Sequence, residues 1–528
     1  MRTFLFGGAI VFASAALAED PTPFIPKFAE ETAASGLSHK FAGGWQYISG
    51  GGVAVFDCNG DDMPEVFMAG GRDASSFFLN KSAPGGALAF EKVEGAFALD
   101  AILGAYPIDV DSDGILDLAV MRVGEDQVYR GKGDCAFEQV NEAWGFQGLD
   151  LWSTAFSATW EDGLTWPTFA VGTFIDRAME DMPWGHCTKN QLYRPNAEGN
   201  AFAPPTTLEP SFCAQSILFT DWNRSGTPSL RISNDREYYK GGTEQMWHVE
   251  PGKEPRIYTK EEGWQTLKIW GMGIASRDVT NDLLPDYYLT SMADNKLQVV
   301  AEPPQDGKVM PRFADVALKT GVVAQRPYVG GDIRPSTAWH AQFEDVNNDG
   351  LADLFVAKGN VAKLPDFANN DPNNLLLQKP DGTFVEVGDK AGVASMMTAR
   401  GGAVEDLNAD GWLDIIVNNR NMPAEVWRNL GGAEHNWIKV RPRQDGTNLD
   451  AIGAWVEVRS EGSFQTRERF LGGGHNGGPM VPLHFGTGAA TAVEVNVIWP
   501  DDTETGWTKL DVNRTWTITK AATGPLID

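Results

Sequence analysis

An acidic loop set between two apolar runs recurs along the chain. Clear copies begin at Val53, Tyr106, Ala341 and Gly401, and weaker copies at Ser216 and Ile274. In the clear copies, Asp or Asn occupies loop positions 1, 3 and 5, and an acid recurs at position 9, as in Asp109, Asp111, Asp113 and Asp117. A chain built this way is restricted to a repeated unit of short strands joined by similar turns.

The spacing of the loops gives the size and number of the units. Asp57 and Asp109 are 52 residues apart, whereas Asp109 and Asp221 are 112 apart, which leaves room for another copy. We assign that copy to ATWEDGLTWPTFAVG, which starts at Ala158 and has lost the acidic pattern. A Phe-led strand followed by a small-residue turn recurs between the loops, at Phe28, Phe90, Phe137, Phe313 and Phe384. Short strands without helical periodicity predict an all-β fold, a seven-bladed β-propeller over residues 24–432.

The pattern changes after Gly431 and Gly432. The acidic loops stop, and alternating or apolar runs such as WIKVRPR, AWVEVRS and AVEVNVIWP follow, separated by Gly, Asp and Asn turns. Alternation with a period of two indicates strands that are buried on one face. The sequence therefore predicts a small C-terminal β-domain over residues 433–520.

The acidic loops carry the pattern of a metal site. Alternate residues of a tight loop point inward, so oxygen ligands at positions 1, 3 and 5 converge, and an acid at position 9 closes the cage. Oxygen-only clusters suit a hard cation, and we expect calcium. The predicted ligands are Asp57, Asn59, Asp61, Glu65, Asp109, Asp111, Asp113, Asp117, Asp278, Asp282, Asp286, Asp345, Asn347, Asp349, Asp353, Asp406, Asn408, Asp410 and Asp414.

The alternatives to a calcium loop between strands are an EF-hand and a solvated Asx turn. An EF-hand does not fit, because strands flank the loops and the closing acid falls at position 9 and not at 12. The other possibility is a solvated Asx turn that never holds an ion. The Asp221 loop has Ser229 where the closing acid is expected, so we expect a structural role there. Since each ion would join two strands of one blade, we expect calcium to stabilise the fold and not to act in catalysis.

The N-terminus has the features of a secretory signal peptide. Residues 1–18 contain Arg2, an apolar run from Phe4 to Leu17, and the small-residue site Ala16-Leu17-Ala18. The run is too short for the alternative, an uncleaved membrane anchor. We therefore expect an exported protein, periplasmic or extracellular, with no membrane span after cleavage. The formal net charge of −28 would repel nucleic acid, so no nucleic-acid partner is expected.

Four cysteines on an exported chain indicate two disulfides. Three connectivities are open, and we favour Cys187–Cys213, which closes a local loop, together with Cys58–Cys135 across neighbouring blades. A zinc site is the rival interpretation, but the chain has no Cys-x-x-Cys pair and no His–Cys pair at ligand spacing.

These motifs resemble two known families. The loops are similar to FG-GAP/VCBS repeats, the calcium-loop propeller units also found in integrin α-chains. The C-terminal segment resembles the ASPIC/UnbV domain through NWIKV at Asn436, AIGAWVEVRSEGSFQTRE from Ala451, HFGTG at His484 and VNVIWPDD ending at Asp502. That domain order is the one of the cartilage-acidic-protein-like family of exported proteins. One departure is GGGHNGGP from Gly472 to Pro479, where the family usually has a glycine-rich turn with an aromatic and a Ser-Gln.

The sequence shows no catalytic motif. It has no Gly-x-Ser-x-Gly elbow, no His-Glu-x-x-His and no phosphate loop. We therefore expect a binding or interaction module whose ligand is an unidentified protein or carbohydrate. The alternative is a metal-assisted lyase or hydrolase acting on carbohydrate at the propeller channel, with His39, His340 and Glu344 as the first candidates. Some of the 18 Trp could also stack on a sugar ring or an apolar ligand at a channel mouth.

Overall fold

The computed structural model describes residues 22–95, 97, 99–178, 186–236, 241–302, 308–323, 332–521 and 526–528. The predicted signal peptide lies outside these residues. Among the helices in these ranges, none has both the length and the hydropathy of a membrane-spanning segment.

The first 28 strands occupy residues 28–429. The first fourteen are β1 (Phe28–Glu30), β2 (Val53–Phe56), β3 (Glu65–Met68), β4 (Ser76–Asn80), β5 (Phe90–Lys92), β6 (Ile102–Ile108), β7 (Asp117–Glu125), β8 (Gln127–Gly131), β9 (Phe137–Gln139), β10 (Asp150–Thr159), β11 (Thr168–Thr173), β12 (Asn190–Tyr193), β13 (Thr206–Leu208) and β14 (Ala214–Thr220). The next fourteen are β15 (Ser229–Asn234), β16 (Gln245–His248), β17 (Arg256–Ile257), β18 (Gly271–Arg277), β19 (Asp286–Ser291), β20 (Lys296–Val300), β21 (Phe313–Asp315), β22 (Ala338–Glu344), β23 (Asp353–Lys358), β24 (Asn374–Gln378), β25 (Phe384–Glu386), β26 (Ala399–Glu405), β27 (Asp414–Asn419) and β28 (Glu425–Asn429).

These strands form antiparallel groups of four. In the described part of the chain there are seven groups: β2–β5, β6–β9, β10–β13, β14–β17, β18–β21, β22–β25, and β26–β28 with β1. The second and third groups are joined, because β7 also pairs with β10. The first strand of each group packs against the first strand of the next, and β2 packs against β26, so the groups close into a ring. The predicted all-β propeller is confirmed.

Closure of the ring uses the N-terminal strand. Phe28 of β1 pairs with Asn429 of β28, so the last group takes its outermost strand from the opposite end of the sequence. The Phe-led segments found in the sequence are the outermost strands β1, β5, β9, β21 and β25. Three are followed by a one-turn helix: α1 (Thr32–Ser35), α2 (Ala317–Thr320) and α3 (Gly388–Ala391). A 3-10 turn spans Trp45–Tyr47.

Strand burial explains why the inner runs are continuously apolar. Every residue of β2, β6 and β14 is buried, because both faces of each inner sheet pack against neighbouring groups. The outermost strands alternate or turn outward, as in β5, where only Phe90 is buried.

In the described residues 433–521 and 526–528, the C-terminal domain has nine strands. They are β29 (Asn436–Gln444), β30 (Trp455–Ser460), β31 (Ser463–Glu468), β32 (Pro479–Met480), β33 (Leu483–Gly488), β34 (Ala492–Ile498), β35 (Thr508–Asp511), β36 (Thr515–Lys520) and β37 (Leu526–Ile527). Eight of them form two four-stranded sheets, β33-β29-β36-β37 and β31-β30-β34-β35. Ile438, Val456, Phe485 and Val495 pack in the core of this domain. The exception, β32, pairs with β2 of the ring.

Both favoured disulfides are present. Cys58 is bonded to Cys135 and Cys187 to Cys213, so no cysteine remains for a zinc site. The first bridge joins the loop after β2 to the turn between β8 and β9, and the second lies between the third and fourth groups.

Candidate metal loops and propeller channel

All six acidic loops have the same backbone hydrogen bonds. The carboxylate of Asp345 at position 1 accepts from the N–H groups of Asp349 at 3.1 Å and Gly350 at 2.7 Å, positions 5 and 6. The same two donors bond the first acid of the other loops, which are Asp57, Asp109, Asp221, Asp278 and Asp406. The carboxylate at position 1 therefore holds the backbone of the turn through these hydrogen bonds.

Position 6 has a left-handed backbone in every loop. Gly114 and Gly350 have φ of 86° and 90°. Leu283 and Asp62, which replace glycine, take the same conformation at φ 70° and 62°. The loops of Asp278 and Asp57 therefore keep the shared geometry although position 6 is not glycine. The cost is a strained backbone at Leu283 and Asp62.

The closing acid at position 9 ties the loop to the blade. Asp353 accepts from the N–H of Val346 at 3.1 Å and from the N–H of Gln378 at 2.9 Å. Asp117 and Asp414 bind the matching pairs of donors, and Asp286 and Glu65 accept from their position 2 N–H. In three loops this carboxylate thus links the loop, the second strand and the third strand.

The ligand oxygens converge in the Asp109 loop. Asp109, Asp111 and Asp117 each place a carboxylate oxygen within 4.8 Å of the others. Asp111 Oδ1, Asp286 Oδ1 and Asn408 Oδ1 are buried oxygens without a hydrogen-bond partner in the described residues. Unpartnered buried oxygens are costly, and a bound cation would satisfy them. The donor set, all oxygen, therefore fits the expected calcium.

Burial and repulsion between neighbouring acids disfavour the charged form of several of these carboxylates. Burial, followed by the negative charges of Asp450, Asp113 and Asp111, raises the pKa of Asp109 to about 7. Burial likewise raises the pKa of Asp117 to about 8, and the pKa values of Asp345, Asp353 and Asp414 lie well above the usual range. A divalent cation would offset the repulsion and favour the ionised ligands.

Protein cations contact at least three of the loops, and one of these contacts joins Arg441 to Asp62 of the Asp57 loop. Arg130 Nη2 lies 2.8 Å from Oδ2 of both Asp111 and Asp113. Lys439 of the C-terminal domain pairs with Asp406. In the Asp345 loop, the first and closing acids are fully buried and held by backbone N–H groups. Asp345, Asn347, Asp349 and Asp353 therefore form a largely buried candidate site, beside the converging oxygens of the Asp109 loop.

The third copy, the segment that starts at Ala158, lacks the metal-ligand pattern and contains an ion pair in its place. Buried Glu161 receives hydrogen bonds from Arg194 Nε at 2.6 Å and Arg194 Nη2 at 3.0 Å, and from Thr168 Oγ1 at 2.7 Å. In the Asp221 loop, Glu468 of the C-terminal domain accepts from the N–H of Asp221 at 2.7 Å. Neither contact was predicted, because each partner lies far away in the sequence.

The C-terminal domain contacts the loop end of the ring. His435 Nδ1 bonds the carbonyl of Asn347 at 2.7 Å, and His484 Nε2 bonds Asn348 Oδ1 at 2.7 Å. Arg224 pairs with Glu457 at 2.8 Å. These contacts reach the loops of two different groups, and Lys439 reaches a third at Asp406, so the domain rests on the face that carries the acidic loops.

The glycine-rich segment Gly472–Pro479 fills the axis of the ring. Gly472 bridges to Leu218, Gly474 to Ile274 and Gly477 to Ala105, while Pro479 pairs with Val55. These partners belong to the innermost strands of four different groups. The segment that departs from the family pattern therefore makes an intramolecular plug, which we call the channel plug.

Glycine is required where the ring meets the channel plug. A Cβ added at Gly52 would lie 1.6 Å from the carbonyl oxygen of Asn476, and one at Gly104 would lie 1.7 Å from the same atom. Backbone therefore packs directly on backbone.

Two histidines meet in the channel. His475 donates from Nδ1 to the carbonyl of Met272 at 2.9 Å, and its Nε2 accepts from the N–H of Gly50 at 3.3 Å. His340 Nδ1 accepts from the N–H of His475 at 3.2 Å, while His340 Nε2 is buried without a hydrogen-bond partner in the described residues. Burial lowers the pKa of His340 to about 4, so this ring is neutral at pH 7.

The three residues considered for catalysis do not form one site. Glu344 is bound by both terminal nitrogens of Arg467, at 2.8 and 2.6 Å. Glu344 and His340 line a cavity of about 80 Å³ between the ring and the C-terminal domain. His39 bonds Ser76 Oγ and the carbonyl of Ala69, each at 2.9 Å, in the first group.

Comparison with known proteins identifies two sequence families. Residues 444–525 match the ASPIC and UnbV family, and residues 345–417, which span the Asp345 and Asp406 loops, match the FG-GAP-like repeat. Human and mouse cartilage acidic protein 1 are each 29% identical over 163 residues, which covers 30% of this chain and 24% of the relative. The protein from Xenopus tropicalis is 35% identical over 107 residues, covering 19% and 16%. The matched region thus spans about a quarter or less of these relatives.

Solved structures of other proteins align over about three quarters of this chain at low similarity. BBS1N, from a complex with ARL6DN, gives a TM-score of 0.43 at 10% identity and covers 77% of this chain and 97% of its own. Sqt1 of Saccharomyces cerevisiae gives 0.40 at 12% identity, covering 73% and 100%. The Dos1 propeller gives 0.34 at 10%, covering 76% and 96%. The chain therefore carries FG-GAP-like propeller sequence and a C-terminal ASPIC and UnbV domain, the combination that its resemblance to the cartilage-acidic-protein-like family predicted.

Proposed function

We propose that this protein is an exported, seven-bladed propeller stabilised by calcium, and that it acts as a binding module in the periplasm or outside the cell. The channel plug is the observation that supports the proposal most strongly. The axis of the ring, where the alternative carbohydrate enzyme would hold its substrate, is occupied by residues 472–479 of the same chain.

The position of the acidic loops supports a structural role for calcium. The C-terminal domain contacts the loops through His435, His484 and Glu457, so these loops face another part of the protein. The closing acid Asp353 also binds backbone N–H groups of its own loop and of the third strand of its group. Calcium held here would stabilise the folded state by mass action without touching a ligand of the module.

Export is supported by the two disulfides and by the similarity to cartilage acidic protein 1. Disulfides form and persist in oxidising compartments, and both bridges here join separate parts of the ring. The net charge of −28 favours a neutral or basic partner over an anionic one.

Hydrolase and lyase assays with His340→Gln separate the module from the enzyme. Calcium-loaded wild type and variant would be assayed against a panel of glycosides and polysaccharides, with melting curves recorded in parallel. A binding module predicts no turnover that depends on His340. Turnover by the wild type that the variant loses at an unchanged melting temperature would establish the enzyme instead.

A further inference from the structure

A second cavity lies at the other end of the ring axis from the acidic loops. It is lined by residues that start inner strands, such as Met272 and Trp339, and by residues that follow second strands, such as Phe174, Asp235 and Met292. The acidic loops connect the other ends of these same strands. The volume of this cavity, which we call the mouth pocket, is about 180 Å³.

The mouth pocket is mainly apolar and aromatic. Phe174, Trp270, Met272, Met292 and Trp339 line it, and Trp270 is 43% exposed, so the pocket meets solvent at this residue. At the inner end, the Trp339 ring lies 5.0 Å from the ring of His475, edge to face. The channel plug therefore packs behind the Trp339 wall of the pocket.

One polar group in this lining lacks a partner. Asp235 is 2% exposed, and its Oδ2 pairs with Arg236 Nη2 at 3.2 Å. Its Oδ1 is buried and makes no hydrogen bond within the described residues. A buried carboxylate oxygen left in this way is costly, and a ligand with an N–H or O–H group would satisfy it. The other polar residues, Ser49 and Gln215, bond each other.

We propose that the mouth pocket binds a small aromatic molecule that carries one hydrogen-bond donor, with indole as the representative size and chemistry. An apolar cavity of ~150 Å³ holds benzene, so this volume suits one such ring system. The aromatic and methionine walls would contact the ring, and a turn of the Asp235 side chain would bring its unpartnered Oδ1 to the donor. A sugar would need several polar contacts that the walls do not offer.

The proposal names a ligand class for the binding role proposed above and rests on that role. Its test is independent of calcium, so either proposal can fail alone. Isothermal titration of the mature protein with indole should give saturable binding of one molecule. Benzothiophene has nearly the same shape without the N–H, and it should bind at least tenfold more weakly, because a hydrogen bond to a charged group is lost.

Substitutions inside and outside the mouth pocket test whether indole binds there. Trp270→Ala should weaken indole binding at least tenfold, whereas Trp507→Ala, in the C-terminal domain, should leave it unchanged. Asp235→Asn should reduce the preference for indole over benzothiophene, because a neutral amide oxygen accepts more weakly than a carboxylate. Trp270 is partly exposed, so its removal tests the pocket without opening the core. The proposal is overturned by no saturable binding, by equal affinity for the two compounds, or by binding that Trp270→Ala leaves intact.

Discussion

His475 of the channel plug donates its Nδ1–H to the carbonyl oxygen of Met272 at a distance of 2.9 Å. The bond joins the C-terminal domain to an inner strand of the ring. Because Nδ1 carries the proton, Nε2 is free to accept from the N–H of Gly50. One neutral imidazole therefore connects two groups of the propeller through the plug.

His475 should make stability depend on pH. Burial lowers the pKa of His475 to about 3 in the folded protein, against about 6.5 in an unfolded chain. The neutral form stabilises the fold above pH 6.5, and this contribution is lost as the pH falls from 6.5 toward 3. Relative to His475→Gln, wild type should lose up to about 1.4 kcal/mol of unfolding free energy per pH unit in this window. Denaturant unfolding at pH 7, 5.5 and 4 measures the difference, and parallel profiles would contradict it.

Gly104→Ala should displace the channel plug. The new Cβ would meet the carbonyl oxygen of Asn476 at 1.7 Å, so backbone must shift, and we expect a loss of about 1–3 kcal/mol in unfolding free energy. Gly478→Ala is the matched control, because its Cβ would find only one atom, at 4.0 Å. A change within about 0.5 kcal/mol is expected there. Equal effects of the two substitutions on urea unfolding would show that the plug does not pack as described.

Removal of Arg467 should be far more costly than removal of a surface arginine. Arg467 binds Glu344, whose side chain is only 5% exposed, and Arg467→Ala leaves that buried carboxylate with only a 3.8 Å contact to Arg277 and a 3.4 Å hydrogen bond from Gln342. We expect a loss of about 3–5 kcal/mol. Arg459→Ala breaks an exposed pair with Glu494 and should cost less than about 1 kcal/mol through that pair. Similar losses for both variants would argue against a tight contact between the two domains.

The Cys187–Cys213 bridge should stabilise the ring. It closes a loop of 26 residues, for which the chain-entropy model gives about 3 kcal/mol. The Cys187→Ser/Cys213→Ser protein should unfold at lower denaturant concentration by the corresponding amount. Peptide mapping without reductant provides the direct check, and free thiols at both positions in the wild type would exclude the bridge.

The repeats made the ring and its loops predictable from the sequence. The loop positions are local, and the hydrogen bonds from positions 5 and 6 to Asp109 or Asp345 involve residues four and five apart. The Phe-led segments likewise marked the outermost strands before any pairing was known. Such features follow from a short pattern repeated several times.

The contacts of the C-terminal domain could not be predicted in the same way. Asn476 meets Gly52 and Gly104 across hundreds of residues, and nothing in GGGHNGGP indicates that it enters the channel. The glycines indicate only that another backbone segment packs closely against them. They do not identify that segment. The pairing of Lys439 with Asp406 depends in turn on how the domain rests on the ring.

Metal analysis combined with thermal unfolding decides whether the acidic loops hold structural calcium. Mature protein equilibrated in millimolar calcium should retain at least three ions per chain. Chelator should lower the melting temperature, because calcium binds the folded state preferentially. Asp353→Ala should remove one ion, while Ser229→Ala, in the loop without a closing acid, should remove none. Less than one calcium per chain, with a melting temperature that chelator leaves unchanged, would show that the acidic loops do not hold structural calcium.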